Sequence, residues 1–188
     1  REEEFEMRLQ GASYMEIMNA GGGIHATAKK TAAASFTTLL NEAKNRLNQF
    51  LQHGVTTIEG KSGYGMSLET ELKQLRVMRE LNENHPIDIV PTFMGAHAIP
   101  KSYTGREEEF VEEIIESMIP AVQEEGLAEF IDVFCEKDVF SIEHSKQILE
   151  AGKAAGLIPK IHADEIVSTG GAELSAQIGA ISAEHLLK

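Results

Sequence analysis

A chain of 188 residues with a net charge of −13 is poorly suited to hold a polyanion, which argues against nucleic acid and anionic membrane as partners. Its 42% hydrophobic content can supply a buried core, and no apolar run approaches the ~20 residues that a membrane span needs. Cys135 is its single cysteine, which excludes an intramolecular disulfide framework and fits a reducing, cytoplasmic setting.

Taken in chain order, Arg1-Glu2-Glu3-Glu4 shows no apolar signal region. Gly21-Gly22-Gly23 reads as a loop, and Ala26 to Thr31 is strand-like. Phe36, Leu39, Leu40, Ala43, Leu47, Phe50 and Leu51 keep helical spacing until Gly54. Residues 55–59 then predict a strand that runs into Lys61-Ser62-Gly63-Tyr64-Gly65. Gly60 is unusual there, since glycine weakens a strand. Leu68 to Leu81 predicts a second helix, with Ser67 as N-cap and Glu69 and Glu71 in its first turn. Residues 87–94 form the next strand and lead to Gly95-Ala96-His97. Residues 110–122 predict a third helix, kinked at Pro120, whose acidic clusters, Glu107-Glu108-Glu109 and Glu112-Glu113, read as a solvated face. A strand over 130–135, a helix over 141–155, a strand over 157–162, a helix over 170–178 and a strand over 180–186 complete the pattern.

Five strands alternating with helices imply crossover units and a parallel sheet. A doubly wound sheet normally carries a glycine-rich phosphate loop, and neither GxGxxG nor GxxxxGK[ST] occurs. A (β/α)8 TIM barrel collects its chemistry at the ends of many strands, which is the pattern here. Eight units usually need about 250 residues, so five strands are expected to form the middle of a barrel.

The strand ends carry the candidate residues. His162 ends a buried strand and is followed by Asp164 and Glu165. That suits a metal ligand beside a proton-transfer group, against the alternatives of a core histidine and a helix-start acid. His185 and His97 also end strands, and His97 has small neighbours that leave room for a ligand. Tyr64 sits between two glycines that allow a sharp turn, so its hydroxyl can face a substrate or its ring can pack over the barrel end. Glu59 and Lys61 suit an internal ion pair. Cys135 reads as a buried strand residue, and Glu136 as a group that could hydrogen-bond a metal ligand. His25, His53, His85 and His144 are given structural roles. GxSxG, HExxH and CxxC are all missing, so the chemistry rests on histidines and carboxylates and suits a metal-activated water.

Lys61-Ser62-Gly63-Tyr64-Gly65, Pro91 to His97, Asp132 to Glu136 and Lys160 to Glu165 together resemble the imidazolonepropionases, a family of the amidohydrolase superfamily. The resemblance runs from Arg1 to Leu186. It implies metal-dependent hydrolysis of the ring C–N bond of 4-imidazolone-5-propanoate to N-formimidoyl-L-glutamate, with one divalent ion, zinc or iron. It further implies His162 as metal ligand, Glu165 and His185 as catalytic residues, and Arg1, Tyr64, His97 and Glu165 as substrate contacts. The family's His-x-His pair on the first strand and aspartate on the eighth have no counterpart among these residues. The chain is therefore expected to be one incomplete barrel domain, residues 1–188, holding strands two to six. Another cyclic-amide amidohydrolase and a catalytically inactive half-barrel module, able to pair as a homodimer, are the competing readings.

Overall fold

The computed structural model describes residues 2–12, 16–17 and 23–188. Strands β1 (Thr57–Lys61), β2 (Asp88–Ala96), β3 (Phe130–Cys135), β4 (Ile158–Ala163) and β5 (Ser182–His185) pair in that order, all parallel. A doubly wound sheet reverses its strand order at a switch point. Sequential order with a helical crossover between successive strands is the wall of a (β/α) barrel, and the sheet is a curled half-barrel.

Helices α1 (Glu2–Leu9), α2 (Gly23–Ala33) and α3 (Phe36–Gln52) precede β1. The crossovers are α4 (Leu68–Asn84), the pair α5 (Glu107–Glu113) and α6 (Ile119–Glu125), then α7 (Ile142–Ala154) and α8 (Gly171–Ile178). Ser35, Ser67 and Ser141 cap α3, α4 and α7, each accepting the N–H three residues on. Gly126 and Gly179 close α6 and α8 with φ of 60° and 70°, where a side chain would be strained.

Three expectations change. Residues 26–31, expected to be strand-like, are helical, inside α2, where alanine and lysine are good helix formers. Strand β1 starts and ends two residues later than expected: its ladder with β2 runs from Thr57↔Asp88 to Lys61↔Thr92 and takes in the charged Glu59 and Lys61. The irregularity in the third helix precedes Pro120. It is a π turn at Ile114–Met118 between α5 and α6. Pro120 itself sits in the first turn of α6, where a missing N–H costs least.

The two faces of the sheet differ sharply. Outward-facing Phe93, Ile131, Val133 and Ile161 are fully buried against Phe110, Ile114, Ile148 and Leu149 of the helices. A smaller cluster of Leu47, Val77, Leu81, Ile87 and Ile89 joins α3 and α4 to the first strands. Helix α7 reaches the sheet through Gly152, where a Cβ would stand 2.6 Å from Ile131 Cδ1. The inner face is polar: Glu59 and Lys61, Thr92, Asp132, Lys160 and His162, and Glu184 stand at alternate positions of their strands.

Candidate active site

Those inner residues form one ion network. Lys61 Nζ donates to Asp132 Oδ2 at 2.7 Å, Glu59 Oε1 at 2.8 Å and Glu184 Oε2 at 3.3 Å. Lys160 Nζ donates to Glu59 Oε2 at 2.7 Å and lies 3.1 Å from Glu184 Oε1. The expected Glu59–Lys61 pair is thus one link of a larger cluster. Burial pulls Lys61 down, but Asp132, Glu59 and Glu184 outweigh it and hold the ammonium above the usual lysine range. Burial pushes Asp132 up, yet the hydrogen bond and charge of His162 and the charge of Lys61 keep it below the usual carboxylate range. Glu59 is held low in the same way by Lys160, Lys61 and Thr92. Among the described residues, three carboxylates face two ammonium groups in this cluster. The negative charge left over lies beside His162, which favours a cation there.

His162 Nδ1 donates to Asp132 Oδ1 at 3.0 Å and stands 3.2 Å from Glu184 Oε2. Asp132, His162 and Glu184 can each offer a ligand atom, all within 4.8 Å of one another. The two lysines already neutralise most of the carboxylate charge. The donor chemistry therefore points to His162 Nε2, which makes no hydrogen bond among the described residues, as the group that would hold a metal. A carboxylate on the other ring nitrogen is the usual way to orient such a ligand. The residues fit a divalent ion.

Above this network opens a cavity of about 600 Å3 lined by Arg8, Lys61, Tyr64, His97, Phe134, His162, Glu165 and His185 among others. It unites His162, Glu165, His185, Tyr64 and His97. Arg1 lies outside the described residues. Glu165 Oε2 is 3.6 Å from His185 Nε2, and the His185 ring centroid is 5.1 Å from that of His162. The Tyr64 ring stands edge-on to His97 at 5.2 Å. His97 Nδ1 faces the Gly63 carbonyl at 3.1 Å. A carbonyl only accepts, so Nδ1 carries the proton and Nε2 is a free lone pair. Burial lowers the His97 pKa despite that hydrogen bond, so the ring is neutral at pH 7.

The loops of the rim are tied from below. Asp164 accepts N–H groups of Thr169 (2.7 Å) and Ala172 (3.1 Å). Glu136, expected to hydrogen-bond a metal ligand, makes no hydrogen bond to His162 among the described residues. It takes the N–H groups of Lys137 and Ile166, each at 2.8 Å, and so secures the loop that carries Glu165. His53 and His85 cap helix ends, and His144 pairs with Glu108 at 2.8 Å. The sequence reading missed the roles of Asp132 and Glu184 in the His162 cluster and the presence of Arg8 in the cavity. The i, i+2 spacing of Lys160 and His162, repeated by Ser182 and Glu184, was the available signal for an inward polar face.

No protein-family model matches the chain. All 188 residues are 64% identical to an imidazolonepropionase of Geobacillus sp. (strain WCH70) and 61% identical to one of Geobacillus kaustophilus (strain HTA426). The identity is 53% to an imidazolonepropionase of Bacteroides fragilis. The chain spans 44% of the length of both Geobacillus relatives and 45% of the Bacteroides one. Along its whole length, this chain is therefore similar to imidazolonepropionases, and it spans less than half the length of each of these three relatives.

Proposed function

We propose that this chain supplies one side of an imidazolonepropionase active site, acting on the ring C–N bond of 4-imidazolone-5-propanoate to give N-formimidoyl-L-glutamate. The observation that carries the reading is the convergence of His162, Glu165 and His185 on one cavity, with Glu165 and His185 3.6 Å apart. A bound divalent ion, zinc or iron, would supply Lewis acidity and lower the pKa of water to about 7, held in part by His162 Nε2. Glu165 takes the proton of the attacking water and returns it to the ring nitrogen as the C–N bond breaks, so that water is added across that bond. His185 stands beside Glu165 to hydrogen-bond the reacting carbon's substituent. His97 offers a neutral Nε2 acceptor, and Tyr64 a hydroxyl. Arg1 and Arg8 are the guanidinium groups suited to the propionate carboxylate.

In the same reading residues 1–188 lie within one barrel domain of a cytoplasmic enzyme, and the free, buried Cys135 supports a reducing compartment. The test is a chimera in which these 188 residues replace the matching stretch of the Geobacillus relative. Loss of imidazolone absorbance at a rate near the relative's is expected, together with a fall of at least ~100-fold in the Glu165→Gln chimera, the range for a lost proton-transfer group. A folded, metal-loaded chimera that leaves the imidazolone intact would overturn the assignment. Turnover of other cyclic amides by that chimera would redirect it.

A further inference from the structure

Glu71 is 1% exposed and belongs to the first turn of α4, but its carboxylate does not cap its own helix. It accepts N–H groups from the preceding loop: Gly63 at 2.8 Å, Gly65 at 2.6 Å and Met66 at 3.1 Å. The Ser62 hydroxyl adds a further bond, while Ser62 Oγ accepts the Met94 N–H at 2.9 Å. The loop is a strained one. Gly63 has φ 98° and Met66, which carries a side chain, has φ 56°. Such conformations persist only where the surroundings over-determine them. At Gly65 a Cβ would lie 2.5 Å from Glu71 N and 2.6 Å from Oε1, so backbone and carboxylate are in direct contact.

The same loop holds the cavity side chains. Tyr64 is within it, and the Gly63 carbonyl accepts the His97 Nδ1–H. Burying a carboxylate is costly unless it is well bonded, and here the Gly63, Gly65 and Met66 N–H groups, all in the loop, supply its backbone bonds. We propose that Glu71 is a positioning residue: its buried carboxylate fixes residues 62–66 and thereby sets where Tyr64 and His97 stand in the cavity. Their role as substrate contacts rests on the function proposed above.

The test is 15N NMR of the 188-residue chain and its Glu71→Gln variant. The amide side chain places an NH2 group among N–H donors, so at least one loop bond is lost. Exchange of the Gly63, Gly65 and Met66 amides should quicken at least tenfold, and the Nδ1–H tautomer signal of His97 should be lost. The amides of Ile131 and Ile161 should keep their protection, which separates loop release from general destabilisation. Should the glutamine variant unfold, Glu71→Asp, which keeps the charge but shortens the reach, decides by the same signals. Unchanged loop amides and an unchanged His97 tautomer would overturn the proposal. The proposed function is read separately, in the chimera with the Geobacillus relative described above. A folded, metal-loaded chimera that leaves 4-imidazolone-5-propanoate intact would count against that function and leave the Glu71 result to stand on the loop signals.

Discussion

Asp132 Oδ1 meets His162 Nδ1 at 3.0 Å although the two are not register partners: Asp132 pairs with Lys160, and His162 with Phe134. The contact is a diagonal across β3 and β4, and it fixes which imidazole nitrogen faces the cavity. Asp132→Asn keeps the shape but loses the anionic acceptor. Zinc affinity, measured by competition with a chromophoric chelator, should fall ~10–100-fold, the usual effect of removing a ligand's orienting carboxylate. An unchanged affinity would transfer that role to Glu184.

Lys61 bridges Glu59, Asp132 and Glu184 while its side chain is 26% exposed. Lys61→Met would leave Lys160 as the ammonium facing Glu59 and Glu184, and would leave the buried Asp132 with His162. Breaking a buried pair costs roughly 3–5 kcal/mol, and partial solvent access places the expected loss at the lower end. Urea unfolding at neutral pH is the measurement, and a loss below ~1 kcal/mol would show that water already screens the cluster.

Burial pushes the Asp164 carboxyl up, but the N–H groups of Thr169 and Ala172 and the Thr169 hydroxyl hold it below its ordinary value of 3.8. A carboxylate depressed in the folded state stabilises above the unfolded-state pKa, and the contribution disappears as pH falls through the folded-state value. The stability gap between the parent and Asp164→Asn should therefore be constant from pH 7 to near pH 4 and close at lower pH. A gap that widens on acidification would contradict the assignment.

Gly152 lies in α7, where alanine would raise helix propensity by ~1 kcal/mol. Its Cβ would press on Ile131 Cδ1 at 2.6 Å and Cγ2 at 2.7 Å, in a residue with no exposure. Overpacking of this kind costs ~1–3 kcal/mol, so Gly152→Ala should destabilise or at best break even. A higher melting temperature in calorimetry would show that α7 can lift from the sheet.

The helices and the outward side of the strands were legible because their apolar residues keep a period, and Ser67 marks a helix start; the equivalent caps Ser35 and Ser141 were not singled out. The inner side was harder. Glu59, Asp132, Lys160 and Glu184 are ordinary charged residues in sequence, and only the parallel register brings residues 59, 132 and 184 to one point. The β1 boundary failed for that reason: its last residues are polar because they face the network. The π turn had no signal, whereas Pro120 offered an obvious but misplaced one. Glu71 reads as a routine first-turn acid, since nothing in a linear sequence shows that its partners lie upstream.

The tethers at Glu71 and Glu136 bear on what binding demands of the rim. Gly63, Gly65, Met66 and Ile166 are already held through their backbones, so an entering molecule need not freeze those loops. What it must still immobilise are long side chains, at ~0.5–1.5 kcal/mol each. Glu165, 37% exposed, and the exposed Arg8 are where that entropic toll concentrates. Tightening the grip on a ligand therefore calls for bracing those two side chains, since further stiffening of the loops beneath them has little left to offer.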